Sequence, residues 1–352
     1  MEQAVSWYSK AAEQGNAAAQ YNLGNWYLLN NKEDAIAKLE KEIKDREKEA
    51  VKCYCKAADQ GHIGAIAKLG YCYETDRGVN KDINKAVKFY RQAAEAGDPE
   101  AQIRLGFCYD EGEGVEKDFQ QAVQWYRKAA DQGSPNGQRC LGRCYFFGHG
   151  VEKDPQEALR LYNKAANQGD VFAQYELGNR YFIGDGIAKD TKEACKWYRK
   201  AAEHLDDSYI DSNFYPQYLY SMFAQVQLGN CYFKGEGVEK DYKQAVKWYR
   251  KAAEQGANEA KFCLGVCYKN GWGVQKNMQQ AKKWFNHVSL SMIEDNVKDS
   301  DDEAKYCLGL CYKNGWGVFH EKSLKKAEKW FSEAAKLGHE EAKQELQSKQ
   351  KQ

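Results

Sequence analysis

The stretch "GEGVEKD" stands at Gly112–Asp118 and recurs letter for letter at Gly235–Asp241, with "GHGVEKD" at Gly148–Asp154 and "GDGIAKD" at Gly184–Asp190. A glycine, any residue and a second glycine ahead of a helix can open a phosphate cradle. Such a cradle needs a strand before the glycines and a lysine–serine pair or a third glycine after them. This chain has neither at these places. The other reading is a connection between two helices. Gly112 then stops one helix in a left-handed conformation. Gly114 keeps the turn tight, Val115 tucks an apolar side chain beneath it, and Asp118 caps the next helix.

Working outward, the same two segments flank every copy of the turn. Ahead of it lies "AQIRLGFCYD" from Ala101, matched by "AQYELGNRYF" from Ala173 and "AQVQLGNCYF" from Ala224. Behind it lies "AVQWYRKAADQG" from Ala122, with copies from Ala4 to Ala327 that return every 36 residues between Ala50 and Ala194. Both segments have helical spacing. Ala101, Leu105 and Tyr109 fall at i, i+4 and i+8, and Ala122, Tyr126 and Ala129 also share a face. Each unit is therefore a helix A and a helix B. Gly106 and the Ala129–Ala130 pair predict a close approach of two helix backbones, with Tyr109 and Trp125 filling the gaps. A glycine in mid-helix costs about 1 kcal/mol against alanine, so its recurrence needs such packing.

The bulk composition removes several function classes. Lys plus Arg is 52 and Asp plus Glu 51, a net charge of +1, which gives no electrostatic reason to expect nucleic acid. No apolar run reaches the length of a membrane span, and the opening "MEQAVSWYSKAAEQG" lacks the apolar centre of a secretory signal. Twelve cysteines are present; Cys72, Cys108, Cys144, Cys231, Cys267 and Cys311 share one helix-A position, and Cys140, Cys263 and Cys307 lie four residues ahead of three of them. Equivalent residues of neighbouring repeats are separated by a helix-packing distance of about 8–10 Å, too far to share one metal ion. They read as small buried apolar residues, and no metal or other cofactor is expected. The six histidines are scattered, with no acid or nucleophile at a repeated spacing, so no catalytic residue is assigned.

The pattern resembles the Sel-one-like repeat family, a relative of the tetratricopeptide repeat. Leu105, Gly106, Tyr109, Gly112, Gly114, Asp118, Ala122, Tyr126, Ala129 and Ala130 carry the match. The resemblance implies an all-α fold, a right-handed superhelical solenoid of stacked antiparallel helix pairs. It would run over 1–352 as a single array: a half-repeat at 1–15, repeats at 17–61, 62–97, 98–133, 134–169, 170–205, 221–256, 257–291 and 302–338, and a capping helix at 339–352. Some relatives staple each unit with a cysteine in helix A and one at the end of helix B. Here helix B ends in "KAADQG" or "KAAEQG", which departs from that pattern and favours a reducing compartment. The expected location is cytoplasmic, or a host cell if the source is a bacterium that delivers effectors.

Three insertions break the period. "NNKEDAIAKLEKEIKDREKEA" (30–50) replaces the glycine turn of the first unit and predicts one long helix over roughly 32–58. "HLDDSYIDSNFYPQYLYSM" (204–222) carries five aromatic residues, including Tyr215 and Tyr218, and reads either as packing on the array or as a binding platform. "HVSLSMIEDNVKDSDD" (287–302) reads as an ordinary loop.

The resemblance places helix A on a concave face. The positions six and two before the repeat tyrosine, and the one just after it, are expected to point outward there. In the central units they are Arg139, Arg143 and Phe146, then Tyr175, Asn179 and Phe182, then Asn230 and Phe233. Arginine grips carboxylates in a fork and asparagine bonds a peptide backbone, so these residues suit an extended peptide or an acidic tail. The expected function is a scaffold or adaptor that holds a protein partner and has no enzymatic activity. Further contact is expected through the 32–58 helix or the 204–222 insertion. Two alternatives stay open: a small-molecule-binding or hydrolytic protein like some cysteine-rich relatives, and a subunit that self-associates.

Overall fold

A computed structural model describes residues 11–29, 36–203, 217–298, 301–318 and 322–350. The chain forms two compact units, Met1–Asp170 and Val171–Gln352. The first holds α1 (Ala17–Leu29), α2 (Ile36–Asp59), α3 (Ile63–Thr75), α4 (Ile83–Glu95), α5 (Pro99–Glu111), α6 (Phe119–Asp131), α7 (Pro135–Phe147) and α8 (Pro155–Asn167). The second holds α9 (Val171–Ile183), α10 (Thr191–Glu203), α11 (Gln217–Lys234), α12 (Tyr242–Glu254), α13 (Asn258–Asn270), α14 (Met278–Asn286), α15 (Leu290–Lys298), α16 (Asp302–Asn314), α17 (Leu324–Lys336) and α18 (Glu340–Gln350). The fold is an all-α solenoid of stacked helix pairs. Within the first unit each helix packs on the next, and helices A of consecutive repeats also touch, as α5 does with α7.

The glycine turn does two jobs. Gly112 ends α5 with φ +76°, and its N–H bonds the Cys108 carbonyl, satisfying a carbonyl that the helix leaves orphaned. The chain then doubles back, the Asp118 N–H reaching the Tyr109 carbonyl at 2.9 Å. Asp118 Oδ1 accepts from the N–H groups of Gln120 and Gln121 at 2.9 and 3.0 Å and starts α6. The second glycine faces the preceding repeat. A Cβ built on Gly150 would sit 2.2 Å from the Phe119 carbonyl oxygen in the first turn of α6, and one on Gly114 would sit 3.0 Å from Ile83 O and Val87 Cγ2. The motif is thus a helix stop followed by a stacking contact.

The mid-helix glycine has a different partner from the one its sequence suggests. A Cβ on Gly106 would lie 2.5 Å from the ring of Tyr126, with Tyr90 over Gly70, Tyr198 over Gly178 and Tyr249 over Gly229 in the same way. The gap over the glycine is therefore filled by the helix-B tyrosine ring and not by Tyr109 and Trp125, while helix backbones do approach closely, a Cβ on Gly70 lying 3.2 Å from Ala86 O and one on Gly137 2.7 Å from Ala130 N. These rings are fully buried, each contributing roughly 1.5–3 kcal/mol.

The first insertion extends helix B backwards, as its stripe of Ile36, Leu39 and Ile43 predicts. α2 runs 24 residues, about 36 Å at 1.5 Å per residue. The third insertion is not a loop. Leu290, Ile293 and Val297 form one stripe of α15 and are buried with Val288 in the core of the last repeats. The end of the second insertion is helical too: α11 starts at Gln217. Tyr215 and most of that insertion lie outside the described residues.

Candidate functional site

The residue two before the repeat tyrosine faces the hydroxyl of the buried helix-B ring. Tyr54 Oη donates to Asn25 Oδ1 at 2.8 Å, Tyr198 Oη to Asn179 Oδ1 at 2.8 Å, and Tyr249 Oη to Asn230 Oδ1 at 2.7 Å. Where helix B carries phenylalanine, at Phe285 and Phe331, the facing residue is Val266 or Leu310. Asn179 and Asn230 thus satisfy buried hydroxyls, a structural duty that the Asn–Tyr against Val–Phe alternation could have revealed. Tyr126 faces Phe107, ring centroids 5.5 Å apart, and its hydroxyl has no hydrogen-bond partner among the described residues.

Both arginines turn inward. Arg139 is buried, its Nε 3.3 Å from Asp170 Oδ2 and its Nη2 3.1 Å from Asn136 Oδ1. Arg143 pairs with Asp110 and lies over the Phe107 ring. The outward position assigned to Arg139 is therefore corrected: a guanidinium flanked by an acid of the next turn is drawn into the stack. An acidic segment would have to displace Asp170 and Asp110 to reach these groups.

The phenylalanines after the repeat tyrosine sit at the turn edge. Phe146 lies 4.9 Å from the Phe147 ring and has Lys153 Nζ over it at 5.7 Å. Phe182 has Lys189 over it at 5.8 Å. Phe233 packs edge-on against Tyr242 and Trp272 at 5.2 and 5.3 Å.

In the second unit the chain gathers a surface from α9 and α11. Tyr175 lies 5.9 Å from Tyr220 and 6.0 Å from Phe223, and Phe172 meets Tyr220 edge-on at 4.5 Å. Tyr218 and Phe223 remain 61% and 41% exposed. Asn230 donates to Glu259 Oε1 at 3.3 Å beside this surface. Burial pushes the Glu259 carboxyl up; it does the same to Glu176, which Arg180 pulls back from 2.7 Å. The sequence reading singled out Tyr175 and Tyr218 but not Phe172 or Phe223, because a helical extension brings them together and the repeat pattern does not encode it.

Two polar devices escaped the sequence reading. Gln132 donates to Gln102 at 2.8 Å, and Gln102 donates in turn to the Ala94 carbonyl at 3.1 Å, in the repeat before. Gln255, Gln225 and Ala202 repeat this at 2.8 and 3.2 Å, clasping consecutive units. The second device is ionic. Glu303 takes Lys269 Nζ and Asn270 Nδ2 at 2.9 Å and His339 Nε2 at 3.0 Å. Burial alone would raise its carboxyl, but these three bonds outweigh burial and bring it down to about 2.

The described cysteines are all free thiols. Burial pushes Cys72, Cys108, Cys144 and Cys267 up to about 12. Among the described residues no three His, Cys, Asp or Glu side chains are placed to hold a metal ion, and no helix is long and apolar enough to cross a membrane.

With this geometry in hand, similarity to known proteins is specific. The Sel1 repeat matches the chain at residues 1–16, 17–31, 40–62, 63–98, 99–134, 135–170, 171–204, 223–256, 259–286 and 302–339. The solved structure of c5321, a protective antigen present in uropathogenic Escherichia coli strains and displaying an SLR fold, is 31% identical with a TM-score of 0.69. That match covers 97% of this chain and 66% of the antigen, so the chain spans just under two thirds of that relative. A Sel1 repeat protein from Oxalobacter formigenes is 34% identical over 68% of this chain and 92% of its own, with a TM-score of 0.59. Curated proteins give no match.

Proposed function

The chain belongs to the Sel1 repeat family, whose members in general mediate protein–protein interaction, and from that premise we propose that it is a non-catalytic scaffold holding a polypeptide partner on the helix-A faces of its repeats. The observation that supports this most is the aromatic surface of Phe172, Tyr175, Tyr220 and Phe223, of which Phe223 is 41% exposed. Large rings held by their neighbours lose little freedom on binding and supply most of the area at an interface. Asn230 and Glu259 give that surface a polar edge that can fix the direction of a bound backbone. The partner is a polypeptide that brings apolar side chains to these rings. The proposed location is the cytoplasm, where twelve cysteines, none of them at the end of a helix B to staple a unit, stay reduced, with a host cell as the alternative for a bacterial source.

The test is affinity capture from the source cell, followed by titration of the captured partner. Tyr218→Ala with Phe223→Ala should weaken binding at least about tenfold while circular dichroism stays unchanged, since both side chains are exposed. Unchanged affinity in a well-folded double variant removes this surface from the function.

A further inference from the structure

The residue just ahead of the repeat alanine forms a row across the helices A. In consecutive repeats of the second unit it is Phe172 in α9, Phe223 in α11, Glu259 in α13 and Glu303 in α16. The row thus passes from two rings of the aromatic surface to two carboxylates. Those carboxylates differ in their partners. Glu303 has a cation within the chain, Lys269 at 2.9 Å, with His339 at 3.0 Å. Glu100, at the same place in α5, has Arg104 at 3.6 Å. Glu259 has amides only: Asn230 Nδ2 donates to Oε1 at 3.3 Å and Asn296 Nδ2 to Oε2 at 3.4 Å, and no cation pairs with it among the described residues. In α11 the place of Lys269 is taken by Phe233, and Lys234 beside it is exposed and reaches the carboxylate only through its longer-range field. Two amides bring dipoles but no countercharge, so this partly buried carboxylate stays under-compensated.

We propose that the polypeptide held on this surface presents a lysine or arginine to Glu259 and an apolar side chain to Phe223. This pairing presupposes the aromatic surface proposed above. Its sign is opposite to that of the acidic tail expected from Arg139 and Arg143, which Asp170 and Asp110 already occupy. The spacing sets a register. Phe223 and Asn230 stand about two turns apart on one face of α11, roughly 10 Å at 1.5 Å per residue, and Glu259 is bonded to Asn230. Gln227 lies between them on the same stripe, partly exposed, with an amide that can bond a backbone crossing it. An extended chain covers that distance in about three residues at roughly 3.3 Å each. The basic residue of the partner therefore falls about three positions from the apolar one. Its alkyl stem can lie along the rings of Tyr220 and Phe223, whose faces also attract the charge.

The experiment pans a phage-displayed library of random dodecapeptides against the full chain, and in parallel against Phe223→Ala and Glu259→Gln, each checked for helicity. Glutamine keeps the acceptor that Asn230 uses. Peptides recovered on the wild type should carry lysine or arginine about three positions from an aromatic or aliphatic residue. They should be lost on Phe223→Ala, and those recovered on Glu259→Gln should keep the apolar residue without the basic one. A synthetic peptide from the wild-type pool should bind at least about fivefold more weakly when norleucine replaces its basic residue. With glutamate there instead, it should prefer Glu259→Lys to the wild type. The norleucine comparison needs no protein variant, so it decides the matter even where a substitution unfolds a repeat. Peptides that depend on Phe223 but carry no basic residue, or that bind as well with norleucine, overturn the pairing and leave the aromatic surface in place. No enrichment, or a pool indifferent to Phe223→Ala, overturns both.

Discussion

Tyr249 lies with its ring over Gly229 and donates its hydroxyl to Asn230 Oδ1 at 2.7 Å, so one side chain closes both the apolar and the polar end of the α11–α12 pair. Tyr126 covers Gly106 in the same way but faces Phe107 and finds no acceptor among the described residues. The same substitution should therefore have opposite signs at the two sites. Tyr249→Phe strands the Asn230 acceptor and should cost about 1–2 kcal/mol, whereas Tyr126→Phe removes an unpaired buried hydroxyl and should be neutral or stabilising by about 1 kcal/mol. Urea midpoints at constant m-value decide it. A similar loss in both variants would mean that the hydroxyl of Tyr126 is satisfied after all.

The ring-over-glycine contact predicts graded overpacking. A Cβ on Gly106 would stand 2.5 Å from Tyr126, but one on Gly142 would stand 3.1 Å from Tyr162. Gly106→Ala should destabilise by about 1–3 kcal/mol, and Gly106→Leu by more. Gly142→Ala should come close to neutral, because the helical gain of alanine offsets a small displacement. Thermal unfolding of the three variants measures the order, and equal losses for the two alanines would contradict it.

The second glycine of the turn predicts loosened stacking. Gly150 has φ +70° and Gly133 has φ +85°, so both strain an alanine. Only Gly150 also meets the Phe119 carbonyl, at 2.2 Å from a built Cβ; nothing lies within 4 Å of one on Gly133. Gly150→Ala should speed amide exchange in the first turn of α6 and across the turn at 148–154, and Gly133→Ala should leave α6 protected. Hydrogen exchange read by mass spectrometry makes the comparison, and matching profiles would count against an inter-repeat role.

Acid should loosen the end of the second unit. The carboxyl of Glu303 sits at about 2 in the folded chain and near 4.5 unfolded, so the unfolded state binds its proton first. Its stabilisation, roughly 2 kcal/mol after discounting for partial exposure, is complete above about pH 5 and fades as pH falls towards 2. Lys269, Asn270, His339 and Cys307 all face this carboxylate. Glu303→Gln should flatten the pH dependence of unfolding between pH 5 and about 2. A variant whose curve runs parallel to the wild type would assign that dependence elsewhere.

The helix pairs, their turns and their caps were legible because the signals are local. Gly112 and Asp118 cap their helices through bonds to residues two to four positions away, and the recurrence of both at a fixed spacing multiplies the evidence. α15 was missed because Leu290, Ile293 and Val297 form a stripe among acidic residues that belongs to no repeat. The helical spacing puts Tyr126 on one face with Ala122 and Ala129, but only the packing of helix B on helix A brings its ring against Gly106.

By itself, the sequence determined an all-α array of helix pairs joined by glycine turns, and which residues are small. Only the tertiary structure decided where the polar side chains of helix A go. Arg139 meets Asp170, Arg143 meets Asp110, and Asn179 and Asn230 meet Tyr198 and Tyr249, each partner lying 19 to 33 residues away. A helical period says which face a residue occupies, but a buried charge or hydroxyl is drawn to whichever partner the stacking brings within reach, and desolvation makes that choice obligatory.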